Sequence, residues 1–441
     1  MKIAHLLGWY FPDSIGGTEV YVEGLCRRLR AAGHDVRIAA PDAHGAAPEQ
    51  YEHDHVPVFR YAIPAQPTRA EATHRVPVRG ADRLYRWLAS ERPDILHVHS
   101  FTTGAGIQEV REARRLRIRV IVTCHLPGLG YMCRTGDLMQ WGQYPCDGIA
   151  MPDKCASCAL TRLGMPKFAA RLAGRIPLAL SAGLGSVPGR IGTTLGMTAS
   201  VREFQSLQRE LFDLVERFVV LNETTRRMLI SNGAPAEKLV LNRLGLSHTN
   251  VIRKPPPEVE PTPALVRFVY LGRLHPTKGL TPLVRSVLAI PRDVSFRLDI
   301  RGPQIDESSR EYAAELQALT GGDPRVTIGT GVAGHDVPAL LAGYDVLLCP
   351  SIWFENGPTT ALEAMAVGTP IIGSRLGNLA ELVEDGVNGR LVAPGDVAGL
   401  SAALLGAATS PASTIDVWRR ALGPQRTMDD IASDYLVLYA A

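Results

Sequence analysis

Two glutamates flank a predicted junction between a loop and a helix in the C-terminal part of the chain. Glu355 precedes the junction, and Glu363 lies eight residues further on. Pro358 suits a first helical turn because its missing N–H has no partner there, so we predict a helix over residues 358–367. The free N–H groups of residues 356–359 and the positive helix end form a seat for an anionic or hydroxyl-rich ligand. Since each carboxylate accepts two hydroxyl hydrogen bonds, the pair suits a diol.

A second candidate element lies upstream of this junction. An apolar strand predicted over residues 268–271 runs into Gly272 and Arg273, and Lys278 with Gly279 opens the next predicted helix. A guanidinium is a planar fork for phosphate and an ammonium is a point charge, so Arg273 and Lys278 together suit a diphosphate. Taken alone, either motif is also compatible with ordinary surface charges, and their combination is what favours a binding site.

The order and spacing of these charged residues resemble the donor-site signature of the retaining glycosyltransferases of family 4, the glycosyl transferases group 1. The resemblance covers most of the chain. It implies that Arg273 and Lys278 neutralise the donor diphosphate, that Glu355 holds sugar hydroxyls and that Glu363 holds the nucleotide ribose. Two departures stand out, since Asn356-Gly357-Pro358 replaces the commoner Gly-Phe-Gly and residues 241–245 replace the usual Pro-Asn-Gly. The residues that we assign to donor binding are Gly16, Gly17, Gly272, Arg273, Lys278, Asn356, Gly357, Pro358, Thr359 and Glu363.

The N-terminal part carries a glycine pair and a histidine after predicted strands. Gly16 and Gly17 let the backbone approach a phosphate closely, and His125 ends the apolar run 119–125. Ligands of open parallel sheets bind beyond the carboxyl ends of the strands, as these positions require. In the resembled family the matching glycines touch the donor diphosphate or the acceptor, and the matching histidine lies beside the transferred sugar. His97 and His99 are interpreted as packing groups or as polar groups on the acceptor side. The candidate catalytic residues are His125, Glu355, Arg273 and Lys278.

Strand signals alternate with helix signals along the chain, which predicts an α/β fold with parallel sheets. The resemblance implies GT-B, in which two doubly wound, Rossmann-like domains face a cleft and the last helix crosses back to the first domain. Strands are predicted at residues 2–7, 36–40, 95–99, 120–124, 218–221, 268–271, 296–300, 326–328, 346–349 and 371–373. The predicted domains are an acceptor-side domain (1–250) with a cysteine-rich insertion (126–205) and the crossing helix (424–441), a Pro-rich linker (251–264) and a donor-binding domain (265–423).

The resemblance also implies the reaction. A hexose-type sugar would pass from a nucleoside-diphosphate sugar to a saccharide, lipid-linked or small-molecule acceptor with retention of configuration. The expected mechanism is front-face, with the leaving phosphate taking the proton of the acceptor and no catalytic divalent metal. Two alternatives stay open: a sugar-nucleotide-binding module without turnover, regulated by redox state or metal, and a nucleotide-sugar epimerase of the same fold. The epimerase should show a different set of acidic and histidine residues.

Five of the seven cysteines fall within residues 124–158. Four of them resemble a ligand set: Cys133 and Cys146 stand close to Gly or Pro residues as in metal knuckles, and Cys155 and Cys158 form a Cys-x-x-Cys pair. Four thiolates are the ligand set of structural zinc, and an iron–sulfur cluster or free, redox-active thiols are the alternatives. A closed four-thiolate site has no open position, so we expect a structural role. The predicted ligands are Cys133, Cys146, Cys155 and Cys158.

Composition is that of an ordinary globular protein, with 441 residues, 46% hydrophobic, 21% charged and a net charge of +3. This small charge excludes a general nucleic-acid binder. Residues 1–10 lack the features of a secretory signal, so we expect a cytoplasmic protein, as in bacterial members of the family. The segment 167–202 mixes Arg with Leu, Ala and Ile. It either packs as helices over the insertion or contacts the inner face of a membrane peripherally.

Overall fold

The computed structural model describes residues 1–13, 16–45, 49–125, 133–185, 187, 189–246, 265–355 and 357–441. The described chain divides into two compact units. Unit 1 comprises Met1–Arg243 and Met428–Ala441, and unit 2 comprises Leu244–Thr427. The chain therefore enters unit 2 at Leu244, ahead of the position 250 predicted from the sequence. The predicted Pro-rich linker, residues 251–264, lies outside the described residues.

Unit 1 is built on an eight-stranded sheet with an additional small hairpin. Its strands are β1 (Lys2–Leu6), β2 (Asp35–Asp42), β3 (Glu49–His53), β4 (Val56–Ala62), β5 (Ile95–Val98), β6 (Arg119–Cys124), β7 (Met139–Gln140), β8 (Tyr144–Pro145), β9 (Arg217–Val220) and β10 (Leu239–Leu241). The sheet order is β10-β9-β6-β5-β1-β2-β4-β3, and all neighbours are parallel except β3 and β4. The strand order reverses between β1 and β5, and such a switch point is where ligands of doubly wound sheets bind.

Among the described residues of unit 1, ten α-helices precede unit 2 in the sequence and one follows it. They are α1 (Gly17–Ala31), α2 (Arg69–Ala72), α3 (Ala81–Glu91), α4 (Ile107–Arg115), α5 (Pro152–Arg162), α6 (Lys167–Gly174), α7 (Leu178–Leu184), α8 (Gly189–Leu195), α9 (Met197–Leu214) and α10 (Glu223–Ser231). The last helix, Met428–Ala440, packs on α1. Its Tyr435 and Tyr439 are fully buried. The C-terminal helix thus contributes to the core of unit 1, which is the position predicted for residues 424–441.

Unit 2 is built on a six-stranded parallel sheet. Its strands are β11 (Val266–Leu271), β12 (Phe296–Gly302), β13 (Val326–Thr330), β14 (Val346–Cys349), β15 (Ile371–Ser374) and β16 (Gly389–Val392), in the order β13-β12-β11-β14-β15-β16. The helices are α11 (Leu280–Leu288), α12 (Glu307–Leu319), α13 (Val337–Ala342), α14 (Thr359–Ala366), α15 (Leu379–Leu382), α16 (Val397–Thr409) and α17 (Ile415–Ala421), and we number the final helix of the chain α18. Two hydrophobic clusters are built around this sheet. The order reverses between β11 and β14, which makes this the switch point of unit 2.

The predicted fold class is confirmed, since both units are α/β structures around parallel sheets. All ten predicted strands are present with shifts of a few residues at their ends. The helix predicted over residues 358–367 spans Thr359–Ala366, with Pro358 in extended backbone just before it. Sequence patterns missed the short or edge strands β3, β7, β8, β10 and β16, because few residues of such strands alternate regularly. They also missed β4, a seven-residue strand that pairs with both β2 and β3.

Candidate functional site

The loop after β11 brings Arg273 to the switch point of unit 2. The phenol of Tyr270 donates a 2.8 Å hydrogen bond to the carbonyl of Arg273, which fixes the turn. Gly272 is required here because a Cβ at this position would lie 2.9 Å from the phenolic oxygen of Tyr270. A Cβ on Gly302, at the end of the neighbouring strand, would lie 2.2 Å from the carbonyl of Gly272. Close backbone packing therefore sets the direction in which the Arg273 loop leaves the sheet.

The turn that carries Lys278 is joined to the loop after β14. Residues Pro276–Lys278 form a short 3₁₀ turn, which ends at Gly279 with a φ of +72°. A Cβ on Gly279 would lie 1.9 Å from the carbonyl of Pro350, so only glycine fits. The N–H of Ile352 donates a 3.0 Å hydrogen bond to the carbonyl of Thr277. The two loops on either side of the switch point are thereby held as one structure.

An ion pair crosses this junction. The Nζ of Lys278 donates to the Oε1 of Glu355 at 2.8 Å, and both side chains are partly buried. The backbone of Glu355 is held from its other side, where its carbonyl accepts a 3.2 Å hydrogen bond from the N–H of Asn378. Gly377 makes this contact possible with a φ of +57°, because a Cβ there would lie 2.4 Å from the Glu355 carbonyl oxygen. The structure thus brings together two of the predicted site residues and fixes both.

Positive charge dominates the rest of this region. The side chain of Arg273 is exposed and has no ion-pair partner among the residues that the structure describes. Burial lowers the pKa of the neighbouring His275, and the charges of Arg273 and Lys278 lower it further. Burial raises the pKa of Tyr270 well above its ordinary value, and the negative charge of Glu355 adds to this effect. Arg273, Lys278 and Glu355 therefore all lie close enough to His275 or Tyr270 to change the pKa of that side chain.

Glu363 lies on α14, one element further on. Burial raises the pKa of its carboxyl to about 7. Within the described part of the chain, its side chain has neither a hydrogen-bond partner nor an ion-pair partner. Thr359 is the first residue of the helix and Pro358 caps it in extended backbone, while Gly357 lies against the side chains of Leu244 and Asn378. Asn356 lies outside the described residues.

The glycine pair of unit 1 begins a helix. Gly16 is the residue before α1, and Gly17 is its first residue. The buried side chain of Glu19 folds back towards the start of the helix. Its carboxylate oxygen would lie 2.6 Å from a Cβ placed on Gly16. A carboxylate of the chain itself therefore already lies at the positive end of this helix.

His125 lies at the carboxyl end of β6 and is joined to a buried row of histidines. Its Nε2 lies 3.0 Å from the Nδ1 of His99, whose Nε2 lies 2.9 Å from the Nδ1 of His5. The rings of His125 and Tyr21 are in edge contact at 4.7 Å. Burial lowers the pKa of His125 to about 3, so the imidazole is neutral at physiological pH. The side chain can donate or accept a hydrogen bond but carries no charge.

His97 forms a second set of buried hydrogen bonds beside this row. The two ring nitrogens of His97 lie 2.6 Å from the phenol of Tyr439 and 2.7 Å from the hydroxyl of Thr123. His5, His97 and His99 are also the set of potential metal ligands whose ligand atoms lie within 4.8 Å of one another in the described structure. Because both nitrogens of His97 and His99 are already in hydrogen bonds, we interpret the trio as a polar core and not as a metal site.

The four predicted thiol ligands lie in the segment that contains the β7–β8 hairpin and α5. All are free, and none forms a disulfide. The N–H of Trp141 donates to the sulfur of Cys158 at 3.1 Å, and that of Met151 donates to Cys155 at 3.4 Å. Burial raises the pKa of the Cys146 thiol, and a backbone hydrogen bond from the N–H of Gly148 lowers it. The donors suit thiolates, yet no three of these sulfurs lie within 4.8 Å of one another in the described structure.

Sequence reasoning missed the residues that support the site. The sequence pattern leaves His99 as a packing or acceptor-side polar group and does not show that it contacts His125 directly. Tyr270 and Asn378 belong to no motif that the sequence displays. The phenol of Tyr270 donates to the carbonyl of Arg273 three residues on, and the N–H of Asn378 donates to the carbonyl of Glu355 in a separate loop. The His-x-His pattern of β5 is the one available signal, since residues two apart on a strand lie on one face.

Two family models match the chain. The model "Glycosyl transferases group 1" matches residues 266–410, and the model "Glycosyl transferase 4-like domain" matches residues 16–152. The first match contains Arg273, Lys278, Glu355 and Glu363, and the second contains the glycine pair and His125. The two models thus fall separately on the two units.

Two relatives illustrate the range of similarity. The chain is 33% identical over 405 residues to an uncharacterized glycosyltransferase of Methanocaldococcus jannaschii. This match covers 89% of this chain and 85% of the relative. It is 28% identical over 232 residues to WcaL of Salmonella typhimurium, a protein named for glycosyl transfer in colanic acid biosynthesis. That match covers 50% of this chain and 56% of WcaL, so the chain matches only about half the length of this relative.

Solved structures share the fold over the whole chain. Sucrose-phosphate synthase of Thermosynechococcus elongatus superposes with a TM-score of 0.65 at 18% identity, covering 100% of this chain and 98% of that one. HepE of Anabaena in complex with UDP-glucose superposes with a TM-score of 0.61 at 15% identity, covering 100% of both chains. At these identities the likeness concerns the fold alone.

Proposed function

Because this chain belongs to the glycosyl transferases group 1 family and is a transferase of the GT-B fold, we propose that it moves a hexose-type sugar from a nucleoside-diphosphate donor with retention of configuration. The observation that carries this proposal is the Lys278–Glu355 ion pair at 2.8 Å, which joins the two loops at the switch point of unit 2 beside Arg273. In this proposal Lys278 and Arg273 stabilise the negative charge that develops on a departing diphosphate.

The two cations have different tasks in this proposal. Arg273 is exposed and presents a planar fork that matches the oxygens of a phosphate. Lys278 is held by Glu355, so its ammonium is oriented before the donor arrives. Preorganised charge of this kind needs no rearrangement when the glycosidic bond breaks, and it therefore stabilises the transition state more than mobile water does. The leaving phosphate takes the proton of the acceptor hydroxyl in this front-face scheme.

The carboxylates recognise hydroxyl groups. One oxygen of Glu355 accepts from Lys278, which leaves the other oxygen to accept from sugar hydroxyls. Glu363 lacks a side-chain partner among the described residues and is therefore available for the ribose diol. In unit 1, we assign to the neutral His125 a hydrogen bond to a sugar hydroxyl. Since Glu19 already supplies negative charge beside Gly16, that helix end favours an acceptor hydroxyl over a phosphate.

The donor and acceptor are proposed by class. UDP-glucose is the first donor to test, since HepE binds it on the same fold. A saccharide acceptor agrees with the naming of WcaL, and a lipid-linked or small-molecule acceptor is retained as a prediction. Localisation in the cytoplasm and action without a catalytic divalent metal also stay predictions. A binding module without turnover is the alternative that the experiment below distinguishes, and an epimerase is disfavoured by the family match.

We also propose that Cys133, Cys146, Cys155 and Cys158 hold a structural zinc ion. Burial raises the pKa of Cys146, Cys155 and Cys158, and one backbone N–H donor to each sulfur opposes this effect by stabilising the charged form. A bound metal ion would supply the positive charge that four thiolates need. No three of these sulfurs lie within 4.8 Å of one another among the described residues, so the four side chains would have to move closer to one another to hold one zinc ion. The iron–sulfur alternative uses the same ligands.

A donor panel tests the proposed transfer. Wild-type protein is incubated with single nucleotide sugars and candidate acceptors, and donor consumption is followed by mass spectrometry. We expect Lys278→Ala to lower kcat/KM by on the order of 10²-fold or more. Lys2→Ala is the matched control, because Lys2 forms a similar partly buried pair with Glu91 at 3.1 Å in unit 1.

The outcomes separate the functions. Donor consumption that is lost in Lys278→Ala and kept in Lys2→Ala supports transfer, and the anomeric configuration of the product decides retention. Donor binding in thermal-shift measurements without consumption indicates a binding module. Equal activity of both variants would remove Lys278 from the proposed mechanism.

A further inference from the structure

The helices α6, α7 and α8 and the end of α5 present large apolar side chains to solvent. Among the described residues, seven large apolar side chains are at least 60% exposed, and five of these lie within residues 163–191. The other two, Ile305 at 81% and Val437 at 73%, stand elsewhere in the sequence. We call the five the apolar patch: Leu163 (68%), Phe168 (72%), Leu172 (67%), Leu180 (60%) and Ile191 (67%).

The inward positions of these helices carry small residues. Ala170, Gly174, Ser181 and Gly192 are buried, and the helices pack against α5 and α9. A Cβ on Gly174 would lie 2.7 Å from a backbone oxygen of α5, so the helices approach too closely for larger side chains. The usual pattern of a surface helix, with large apolar residues inward, is therefore reversed. Burial of the apolar patch requires something outside the described chain.

Charge in the same segment has a single sign. Residues 154–202 contain seven Lys and Arg residues and no Asp or Glu, although two of the seven, Lys154 and Arg162, pair with Asp147 and Asp137 outside this range. In the described structure, Arg175 and Arg190 have no ion-pair partner, and both are exposed. A chain with a net charge of only +3 thus concentrates positive charge where its apolar side chains are exposed. This segment can therefore be attracted to a negatively charged surface and can bury its apolar side chains there.

We infer that this surface docks onto a bilayer that contains anionic lipids. Basic residues beside exposed Leu, Phe and Ile are the composition of interfacial helices, which bury apolar side chains among acyl chains and keep charges at the headgroups. A second copy of this chain is a poorer occupant, because it would bring two uniformly basic segments together. No described helix is long and apolar enough to cross a membrane, so docking occurs from one side. The inference does not depend on the proposed transfer reaction.

Vesicle co-sedimentation of the full chain tests the docking. The vesicles contain phosphatidylcholine alone or with about 30% phosphatidylglycerol, and no sugar donor is present. We expect wild type to bind the anionic vesicles and to be released by high salt. Phe168→Ser with Leu172→Ser should weaken binding by roughly tenfold or more, and Arg175→Gln with Arg190→Gln by roughly tenfold.

The control replaces the exposed apolar side chains outside the segment. Ile305→Ser with Val437→Ser removes comparable exposed apolar surface and should leave vesicle binding unchanged. Circular dichroism checks that each variant is folded. Absence of wild-type binding, or equal binding by the Phe168/Leu172 and Ile305/Val437 variants, would overturn the inference. Self-association that the Phe168/Leu172 variant loses, without vesicle binding, would assign the surface to a second copy instead.

Discussion

At the scale of single residues, the site combines one fixed ion pair with two groups whose pKa is set by burial. Lys278 and Glu355 fix each other by a hydrogen bond, whereas His125 is kept neutral by burial. Glu363 differs from both, because burial without a compensating partner among the described residues raises its pKa to about 7. A carboxylate in this state is costly to the folded protein until a ligand supplies hydrogen bonds.

This cost predicts a pH-dependent effect of Glu363→Gln. Because the folded pKa of about 7 lies above the ordinary value of 4.5, the protonated form stabilises the fold below pH 4.5, and this stability is lost as pH rises through 7. Removing the charge should therefore stabilise unit 2 by on the order of 1–3 kcal/mol above about pH 8 and change little near pH 5. Urea denaturation at the two pH values measures the difference.

A matched substitution separates this effect from a general loss of negative charge. Glu315→Gln removes a carboxylate from an exposed position on α12 of the same unit. It should show no comparable gain at high pH. Equal responses of the two variants would mean that burial of Glu363 does not control its ionisation.

At the scale of elements, the site is positioned by turns that join neighbouring loops. Gly279 and Gly377 have positive φ angles and lie against backbone oxygens, so a residue with a Cβ would clash at either position. The cysteine segment is a different kind of element. It contains the two-residue strands β7 and β8, and its small hydrophobic cluster is formed largely by α5, α6 and α9. A short hairpin of this kind gains order from a metal crosslink.

The proposed zinc site predicts one bound zinc ion per chain. Protein purified without chelator should contain zinc at about equimolar ratio by atomic emission, and Cys146→Ser or Cys158→Ser should lose it. Cys349→Ser is the control, because this partly exposed thiol lies in unit 2. Iron with visible absorbance would instead indicate a cluster, and metal-free wild type would leave the four thiols without a structural metal.

At the scale of the whole molecule, the order of the elements along the sequence differs from their grouping into the two units. The helix α18 is the last element of the sequence, yet it completes the core of unit 1. The phenols of Tyr435 and Tyr439 bond to Thr123 and His97 beneath the sheet. Unit 1 therefore depends on residues that follow all of unit 2.

Truncation after Thr427 should consequently destabilise unit 1 and spare unit 2. Removal of large buried side chains costs about 2–5 kcal/mol each, and α18 contributes several, against a typical total of about 5–15 kcal/mol for a domain. We expect one of two denaturation transitions to be lost while donor-induced stabilisation of unit 2 persists. A full-length Val437→Ser variant, altered at an exposed position of α18, should keep both transitions. Two unchanged transitions in the truncated protein would contradict this role of α18.

The sequence by itself determined the fold class, the ten main strands and the residue types that suit a sugar-nucleotide donor. Buried parallel strands form uninterrupted apolar runs, and glycine turns have few substitutes, so both are visible locally. Only the tertiary structure decided that Lys278 contacts Glu355, that His99 lies against His125 and that the large apolar residues of α6 to α8 face solvent. These are contacts, or missing contacts, between segments distant in sequence. No local pattern encodes them, because pairing and burial depend on how the sheets and helices pack together.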